Sequence, residues 1–235
     1  MRIRILPLLR GARKASGTAV VIDVFRAFSL ETYAFAAGAD KIICTASVED
    51  AFKLRDQNPG SIIAGERGGA KCPGFDCGNS PSQLAEIDLA GKTVIHTTSA
   101  GTQGIEAASG ADEILTGALV NASATAEYIR ASGTEDVSLI PMGLAGRKKT
   151  EEDMICADYL KALILGTDPG DIGRRIRKLK YTDGSKFFSP YNEEIFPRED
   201  FFMCTEVDRF GFAIRVGRED GLLVSRKVPK SGADC

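Results

Sequence analysis

Short β-branched runs alternate along the chain with longer stretches of helical composition. The short runs have the length and composition of buried strands, and the longer stretches begin or end at capping residues or glycines, as helices do. This alternation predicts a largely parallel sheet covered by helices. The predicted strands are TAVVID at 18–23, KIICT at 41–45, SIIAGE at 61–66, KTVIHTT at 92–98, ADEILTG at 111–117 and DVSLIPMG at 136–143. The predicted helices lie in 27–37, 47–57, 82–87, 99–110, 121–133 and 154–166.

The pattern changes after Gly166. A basic helical segment, RRIRKLK at 174–180, precedes a C-terminal stretch of predicted strands joined by turns at 209–212 and 219–221. Because no tandem repeat or low-complexity linker divides the chain, we predict one three-layer α/β/α sandwich over residues 1–235. Its sheet is mixed but largely parallel, and the C-terminal strands are added to it. Two intimate subdomains that meet near 166–185 are the alternative.

Composition and charge narrow the classes of function. The chain has 235 residues, of which 43% are hydrophobic and 26% charged, as in a soluble globular protein. Its 32 acidic and 30 basic residues leave a formal charge of −2, which provides no general field for nucleic acid or an anionic membrane. No apolar run reaches the length of roughly 18 residues that a membrane-spanning helix requires. We therefore expect a small-molecule partner, no nucleic acid and no membrane, and a homodimer is compatible with this size.

The N-terminal segment and the cysteines bear on the compartment. MRIRILPLLRGARK has a short apolar centre interrupted by Pro7, with no small-residue cleavage site after it. We therefore expect a cytoplasmic protein whose six cysteines, Cys235 included, are reduced thiols. Cys72 and Cys77 match no zinc, redox or Cys-x5-Arg spacing, so a structural metal or disulfide is not expected there.

Polar residues follow the predicted strands, at the edge of the sheet where open α/β folds bind ligands. The turn TTSAGT at 97–102 precedes a helix, so its backbone amides and hydroxyls can surround a phosphate or sulfonate. An ordinary helix cap is the alternative interpretation. The residues at this edge are Asp23, Arg26, Glu66, Arg67, Asp76, Asn79, Ser80, Thr97, Thr98, Ser99, Gly101 and Thr102.

The residue types in this set favour oxygen-ligated metal chemistry. His96 is the single histidine, so a His-rich zinc site is excluded. Carboxylates such as Asp23, Glu66 and Asp76, completed by water and substrate phosphate, are what Mg²⁺ prefers. Arg26 and Arg67 can each offer a bidentate fork to phosphate, sulfonate or carboxylate. The alternatives are a helix cap for Asp23 and salt bridges for the other charged residues, and His96 is expected to be packed and hydrogen-bonded.

Several segments together resemble, in order, the motifs of the 2-phosphosulfolactate phosphatase family. The resemblance spans about residues 20–163, with a weaker match in DFFMCTEVD near the C-terminus. It implies an α/β/α fold and a Mg²⁺-dependent phosphatase that converts 2-phospho-3-sulfolactate to 3-sulfolactate and phosphate, a step in coenzyme M biosynthesis. The matching segments are VVIDVFRAFS, AGERGGAKCPGFDCGNSP, GKTVIHTTSAGTQG, GALVNASA and EDMICADYL.

The resemblance also implies a set of site residues, which joins those found at the strand ends. Either water or Asp23 could attack the phosphorus atom. A phosphatase of another small phosphorylated hydroxy acid or sulfonate, or a non-catalytic protein that binds small anions, are the alternative functions. Asp23, Arg26, Glu66 and Arg67 are the predicted catalytic residues; Asn79, Ser80, Thr98, Ser99, Gly101, Thr102 and Asn121 the predicted substrate-binding residues; and Asp23, Glu66, Asp76 and Asp153 the predicted Mg²⁺ ligands.

Overall fold

The computed structural model describes residues 1–229, and Cys235 lies outside them. Within these residues, ten strands form one sheet and nine α-helices pack around it. The strands are β1 (Arg2–Ile5), β2 (Thr18–Ile22), β3 (Lys41–Cys44), β4 (Ile62–Arg67), β5 (Ala70–Lys71), β6 (Thr93–Thr97), β7 (Glu113–Gly117), β8 (Asp136–Pro141), β9 (Phe212–Glu219) and β10 (Leu222–Pro229). The helices are α1 (Leu8–Ala12), α2 (Ala27–Ala36), α3 (Val48–Gln57), α4 (Pro81–Leu84), α5 (Gly101–Ala107), α6 (Ala122–Ser132), α7 (Glu151–Leu165), α8 (Ile172–Leu179) and α9 (Arg198–Thr205).

The strand order is β1, β8, β2, β7, β9, β10, β3, β6, β4 and β5. The neighbours among β1, β8, β2 and β7 are parallel, as are those among β3, β6 and β4. The hairpin of β9 and β10 lies between these groups and is antiparallel to β7 on one side and to β3 on the other. The C-terminal strands therefore belong to the same mixed sheet, as predicted, but they join its two halves at the centre.

Helices cover both faces of the sheet, and the alternation of side chains along β2 shows how. Ala19 and Val21 are buried in one apolar cluster together with residues of α2 and α5. Val20 and Ile22 are buried in a second cluster with residues of α6 and α7. A third cluster, under α3, covers the half of the sheet that contains β3 and β6. The predicted three-layer α/β/α architecture is confirmed.

Segments that follow distant strands meet at one end of the sheet. In a flat sheet, β2 and β6 would lie about 24 Å apart, because five positions separate them. Nevertheless, a Cβ atom on Gly101, at the start of α5, would lie 3.2 Å from the Oδ2 atom of Asp23, which follows β2. The segment that follows β6 therefore reaches the carboxyl end of β2. Helix α2 is buried over most of its length, as expected for a helix enclosed on several sides.

None of the helices in residues 1–229 has the length and apolar character that crossing a membrane requires. The five cysteines in this part of the chain, Cys44, Cys72, Cys77, Cys156 and Cys204, are unbridged and buried.

Candidate active site

A cavity of about 410 Å³ opens at the carboxyl ends of β2, β4, β6 and β8. It collects acids, cations and an amide from parts of the chain that lie far apart in sequence. Two phenylalanines and an exposed loop that contains Leu144 form the rest of its wall. The lining residues are Asp23, Phe25, Arg26, Glu66, Gly68, Gly69, Asn79, Ser99, Ala100, Gly143, Leu144, Ala145, Thr150, Glu152, Asp153, Lys186 and Phe196.

Asp23 stands at the end of β2, where the chain turns into α2. Its Oδ1 atom accepts a hydrogen bond from the Ala27 amide at 3.2 Å, so the carboxylate does cap the helix, as the simpler sequence interpretation expected. The structure gives no such partner to Oδ2, the oxygen that approaches Gly101. Burial raises the pKa of Asp23 to about 6, and the neighbouring Glu66 carboxylate also raises it. One oxygen of Asp23 thus caps helix α2, and the other is available to a ligand.

Glu66 ties together the loops on both sides of the cavity. One of its oxygens accepts a hydrogen bond from the Ser99 amide at 2.7 Å, and the other accepts one from the Gly69 amide at 2.6 Å. The Ser99 hydroxyl also lies 3.3 Å from the carboxylate. Both oxygens of Glu66 thus accept backbone hydrogen bonds, and these hold the loops after β4 and β6 together.

Asp153 has a similar task on the opposite wall. Its Oδ1 atom accepts a hydrogen bond from the Val24 amide at 2.8 Å, and its Oδ2 atom accepts one from the Gly143 amide at 2.7 Å. Gly143 has a φ of 63°, a conformation that suits glycine, and this turn aims its N–H at Asp153. Burial, together with the charges of Glu152 and Asp23, raises the pKa of Asp153 well above its usual range. Asp153 therefore joins α7 to the ends of β2 and β8.

Glu152 is the cavity carboxylate with a buried oxygen that lacks a hydrogen-bond partner within residues 1–229. Its side chain is only 3% exposed, and its Oε2 atom has no hydrogen-bond partner in the described part of the chain. Burial raises the pKa of Glu152 to about 7, and the charge of Lys186 opposes this rise. A buried carboxylate oxygen without a partner is costly, which favours a cation or a proton donor at this position.

Arg26 is held by a buried ion pair. Its Nη1 atom lies 2.6 Å from Asp200, and its Nη2 atom donates to the Gly69 carbonyl at 3.2 Å. The guanidinium also lies 4.8 Å from the ring centre of Phe196. Asp200 accepts further hydrogen bonds from the hydroxyls of Ser80 and Ser82. Arg26 is thus fixed in orientation at the cavity wall, and Ser80 supports it through Asp200.

The structure brings together six of the predicted site residues, namely Asp23, Arg26, Glu66, Asn79, Ser99 and Asp153. Arg67 lies outside the cavity lining, because its guanidinium donates to Thr97, to the Ala46 carbonyl and to the Glu66 carbonyl. Asp76 lies against a neighbouring cavity and accepts a hydrogen bond from the Ile63 amide at 2.8 Å.

Four other predicted residues have local structural tasks. Thr98 and Thr102 exchange hydrogen bonds between their hydroxyls and each other's amides at the start of α5, which is the helix-cap alternative for this turn. Asn121 is fully buried, and its Oδ1 atom accepts a hydrogen bond from the Ala118 amide. Gly101 lies behind Asp23, where the close approach of the two strands leaves no room for a side chain.

Replacing Gly101 by Ala tests this close approach. The new Cβ would lie 2.9 Å from Ala27 Cβ and 3.0 Å from Phe28 Cζ, so Asp23 or α2 must move. We expect the free energy of unfolding to fall by about 1–3 kcal/mol, the usual cost of overpacking, and a ligand that contacts Asp23 to bind more weakly. Urea denaturation and a phosphate titration measure the two effects. Gly217→Ala is the control, because Gly217, like Gly101, does not have a left-handed φ, and a Cβ atom added there would have no neighbour within 4 Å.

A divalent cation is compatible with this donor set. Within residues 1–229, no three His, Cys, Asp or Glu side chains converge into a preformed metal cluster. Mg²⁺ does not require one, since it commonly uses one or two carboxylates and completes its shell with water and substrate phosphate. The unpartnered Glu152 oxygen and the Oδ2 atom of Asp23 supply two such ligands. The residues present therefore fit Mg²⁺.

Three important residues were missed by the sequence interpretation. Lys186 lines the cavity, and its ammonium group lies 5.3 Å from the Phe196 ring centre. Asp200 and Phe196 hold Arg26. All three come from 186–200, where the chain is irregular up to the start of α9 and no periodic pattern marks the inward positions. Glu152 lies beside the predicted Asp153 but was not among the predicted site residues, and its burial is what distinguishes it.

Comparisons with known proteins identify the family of the chain. A family model described as 2-phosphosulpholactate phosphatase matches residues 6–209. A protein of Bacillus subtilis named "Probable 2-phosphosulfolactate phosphatase" is 30% identical over 202 residues, which cover 86% of this chain and 87% of that protein. A protein of Carboxydothermus hydrogenoformans with the same name is 39% identical over 165 residues, covering 70% of this chain and 68% of that protein. The chain therefore belongs to the 2-phosphosulfolactate phosphatase family, whose name is that of a phosphoric monoester hydrolase.

Proposed function

We propose that this protein is a Mg²⁺-dependent phosphatase that hydrolyses 2-phospho-3-sulfolactate to 3-sulfolactate and phosphate. The observation that carries the proposal is the cavity itself, where four carboxylates face two cations. A substrate with phosphate, carboxylate and sulfonate groups carries several negative charges, so this lining would repel it unless a metal cation adds positive charge. Family membership supports the same reaction class.

The roles of the carboxylates follow from their free oxygens. Asp23 and Glu152 would hold Mg²⁺, because each keeps an oxygen without a hydrogen-bond donor in the described part of the chain, whereas each oxygen of Glu66 and Asp153 accepts a hydrogen bond from a backbone amide. When bound, Mg²⁺ supplies charge neutralisation at the phosphoryl oxygens and polarises phosphorus. This assignment retains Asp23 from the predicted ligand set and adds Glu152, while Asp76 lies against a different cavity.

The other lining residues orient the anionic substrate. Arg26 and Lys186 provide the positive side chains, and the fixed orientation of Arg26 reduces the entropy lost when a ligand binds. Ser99 and Asn79 lie on the wall nearest Glu66 and supply polar contacts. Phe25 and Phe196 present apolar surface, which limits access of water to the reacting group.

We propose that water attacks phosphorus directly, because Asp23 is assigned to the metal. A bond forms between the water oxygen and phosphorus as the bond between phosphorus and the C2 oxygen of the substrate breaks. One proton of the water goes to the buffered solvent, and the leaving oxygen takes up a proton. Rapid quenching with labelled substrate is expected to show no hydroxylamine-sensitive adduct. A labelled aspartyl phosphate at Asp23 would contradict this route.

A phosphate-release assay tests the proposed function. The panel consists of 2-phospho-3-sulfolactate, other phosphorylated hydroxy acids and a phosphorylated sulfonate without the carboxylate, each with Mg²⁺ or with EDTA. We expect release with Mg²⁺, loss of release with EDTA, and the highest kcat/KM for 2-phospho-3-sulfolactate. Preference for another substrate would identify a different phosphatase. Thermal stabilisation by the anions without release would indicate a protein that only binds them.

The raised pKa values predict how Mg²⁺ affects stability. Asp23 and Glu152 have pKa values of about 6 and about 7 in the fold, above their ordinary values, so they favour folding at low pH and lose this contribution as pH rises through these values. Bound Mg²⁺ compensates the charge that appears. We therefore expect Mg²⁺ to raise Tm more at pH 8 than at pH 5. An equal shift at both pH values, measured by calorimetry, would contradict the assignment of these two carboxylates.

The setting of the reaction is also a proposal. The product of the proposed reaction, 3-sulfolactate, would serve coenzyme M biosynthesis in the cytoplasm, where thiols remain reduced. A homodimer is likewise proposed, and sedimentation velocity measures it.

A further inference from the structure

A line of buried polar groups runs from the wall of the cavity into the core. Asn79 lines the cavity, and its Oδ1 atom lies 3.2 Å from Nε2 of His96. Nδ1 of His96 lies 3.1 Å from Oε1 of Glu31, which belongs to α2. His96 and Glu31 are fully buried. Neither of them touches the cavity, so the proposed reaction does not account for them.

Glu31 is surrounded by hydrogen-bond donors. Besides His96, the Cys44 thiol lies 3.4 Å from its Oε1 atom, and the Thr116 hydroxyl lies 3.5 Å from its Oε2 atom. Burial raises the pKa of Cys44 well above its usual range, so the thiol keeps its proton. Both oxygens of Glu31 thus face groups that can donate a hydrogen bond. This environment suits an ionised carboxylate, which can only accept.

The two contacts of His96 fix where its protons lie. An ionised carboxylate can only accept, so Nδ1 of His96 donates to Glu31. An amide oxygen can also only accept, so Nε2 of His96 donates to Asn79. In this arrangement both ring nitrogens of His96 donate, one toward the Glu31 carboxylate and the other toward the Asn79 amide oxygen. The Oδ1 atom of Asn79 faces His96, which leaves the amide NH₂ group for the cavity.

We propose that Glu31 and His96 are positioning residues that turn the NH₂ group of Asn79 toward an anionic oxygen of the bound ligand. A His96 without a proton on Nε2 would instead accept from Asn79. The amide would then present its oxygen to the anion, and binding would be disfavoured. The identity of the anion rests on the proposed function, whereas the orientation of the amide rests on the hydrogen bonds alone.

The single histidine makes a direct spectroscopic test possible. In tag-free, ¹⁵N-labelled protein, we expect both ring nitrogens of His96 to resonate in the protonated range at neutral pH. In Glu31→Gln, which removes the compensating charge, one ring nitrogen should shift to the non-protonated range. A wild-type spectrum with a non-protonated Nε2 would overturn the proposal. This measurement requires no turnover, so a failure of the phosphatase assay alone would contradict only the proposed function.

A pair of variants tests the effect on binding. In His96→Gln, the new amide can still donate to Asn79, whereas His96→Leu cannot. We expect His96→Leu to weaken binding of inorganic phosphate, measured with Mg²⁺ present, by about tenfold or more, the effect of losing one hydrogen bond to a charged group. His96→Gln should retain most of the affinity. Equal affinities of the two variants would overturn the positioning role, and the wild-type spectrum decides the orientation even if His96→Leu fails to fold.

Discussion

Replacing Asp23 by Asn is expected to abolish phosphate release without destabilising the fold. Asn keeps an oxygen that can accept the Ala27 amide, so the start of α2 is preserved. The substitution removes the negative charge that would hold Mg²⁺ beside Glu152. We expect kcat/KM to fall by at least about a hundredfold to a thousandfold, the usual effect of losing a preorganised electrostatic contact.

Asp23→Asn should be at least as stable as the wild type, although its activity is lost. Burial raises the pKa of Asp23 to about 6, so the ionised side chain costs stability above this pH. In the absence of metal, Tm of the variant at pH 8 should therefore equal or exceed that of the wild type. Asp76→Asn is the matched control, because Asp76 accepts a backbone amide as Asp23 does but lies against another cavity. Full activity in Asp23→Asn, or loss of activity in Asp76→Asn, would contradict the site.

Among substitutions of buried residues at this site, Asp200→Ala is expected to lower the free energy of unfolding most. The Arg26 side chain is 3% exposed and that of Asp200 is fully buried, so the change leaves an uncompensated buried charge. It also removes an acceptor from Ser80 and Ser82. We expect the free energy of unfolding to fall by about 3–5 kcal/mol. Urea denaturation measures it.

Two further variants show whether the loss comes from the ion pair. Asp158→Ala breaks a half-exposed pair with Arg175 at the same separation of 2.6 Å and should cost less than about 1 kcal/mol. The double variant Arg26→Met with Asp200→Leu should cost less than the sum of the two single changes, because no charge is left unpaired. A small loss in Asp200→Ala, similar to that in Asp158→Ala, would show that Arg26 does not depend on Asp200.

Local patterns in the sequence predicted six of the seven parallel strands and the main helices, because each is specified by its own composition, but they missed β1. The central position of the hairpin formed by β9 and β10 was not predictable, since it depends on which strand edges are left open. The proximity of Gly101 and Asp23 likewise brings together segments that follow strands far apart in the sheet. The α/β/α class therefore followed from the sequence, and the strand order did not.

The sequence predicted site residues only at positions that a local feature, such as the end of a strand, marks by itself. Asp23 and Glu66 lie at strand ends and line the cavity, as expected. Arg67 was assigned to the same site as Glu66, but β4 continues through Arg67, so the two side chains point to opposite faces of the strand. Lys186 lies in an irregular segment, and Asp200 lies in the first turn of the short helix α9, so neither position belongs to a period long enough to indicate which side chains point inward.

The central claim is that this cavity holds the metal and the phosphate. A crystal structure of the protein with phosphate and Mn²⁺, a carboxylate-binding substitute for Mg²⁺ that gives an anomalous signal, tests it most directly. The account predicts an anomalous peak coordinated by Asp23 and Glu152, with the phosphate between it and Arg26. A peak at Asp76 or elsewhere, with Asp23 and Glu152 free of metal, would contradict it.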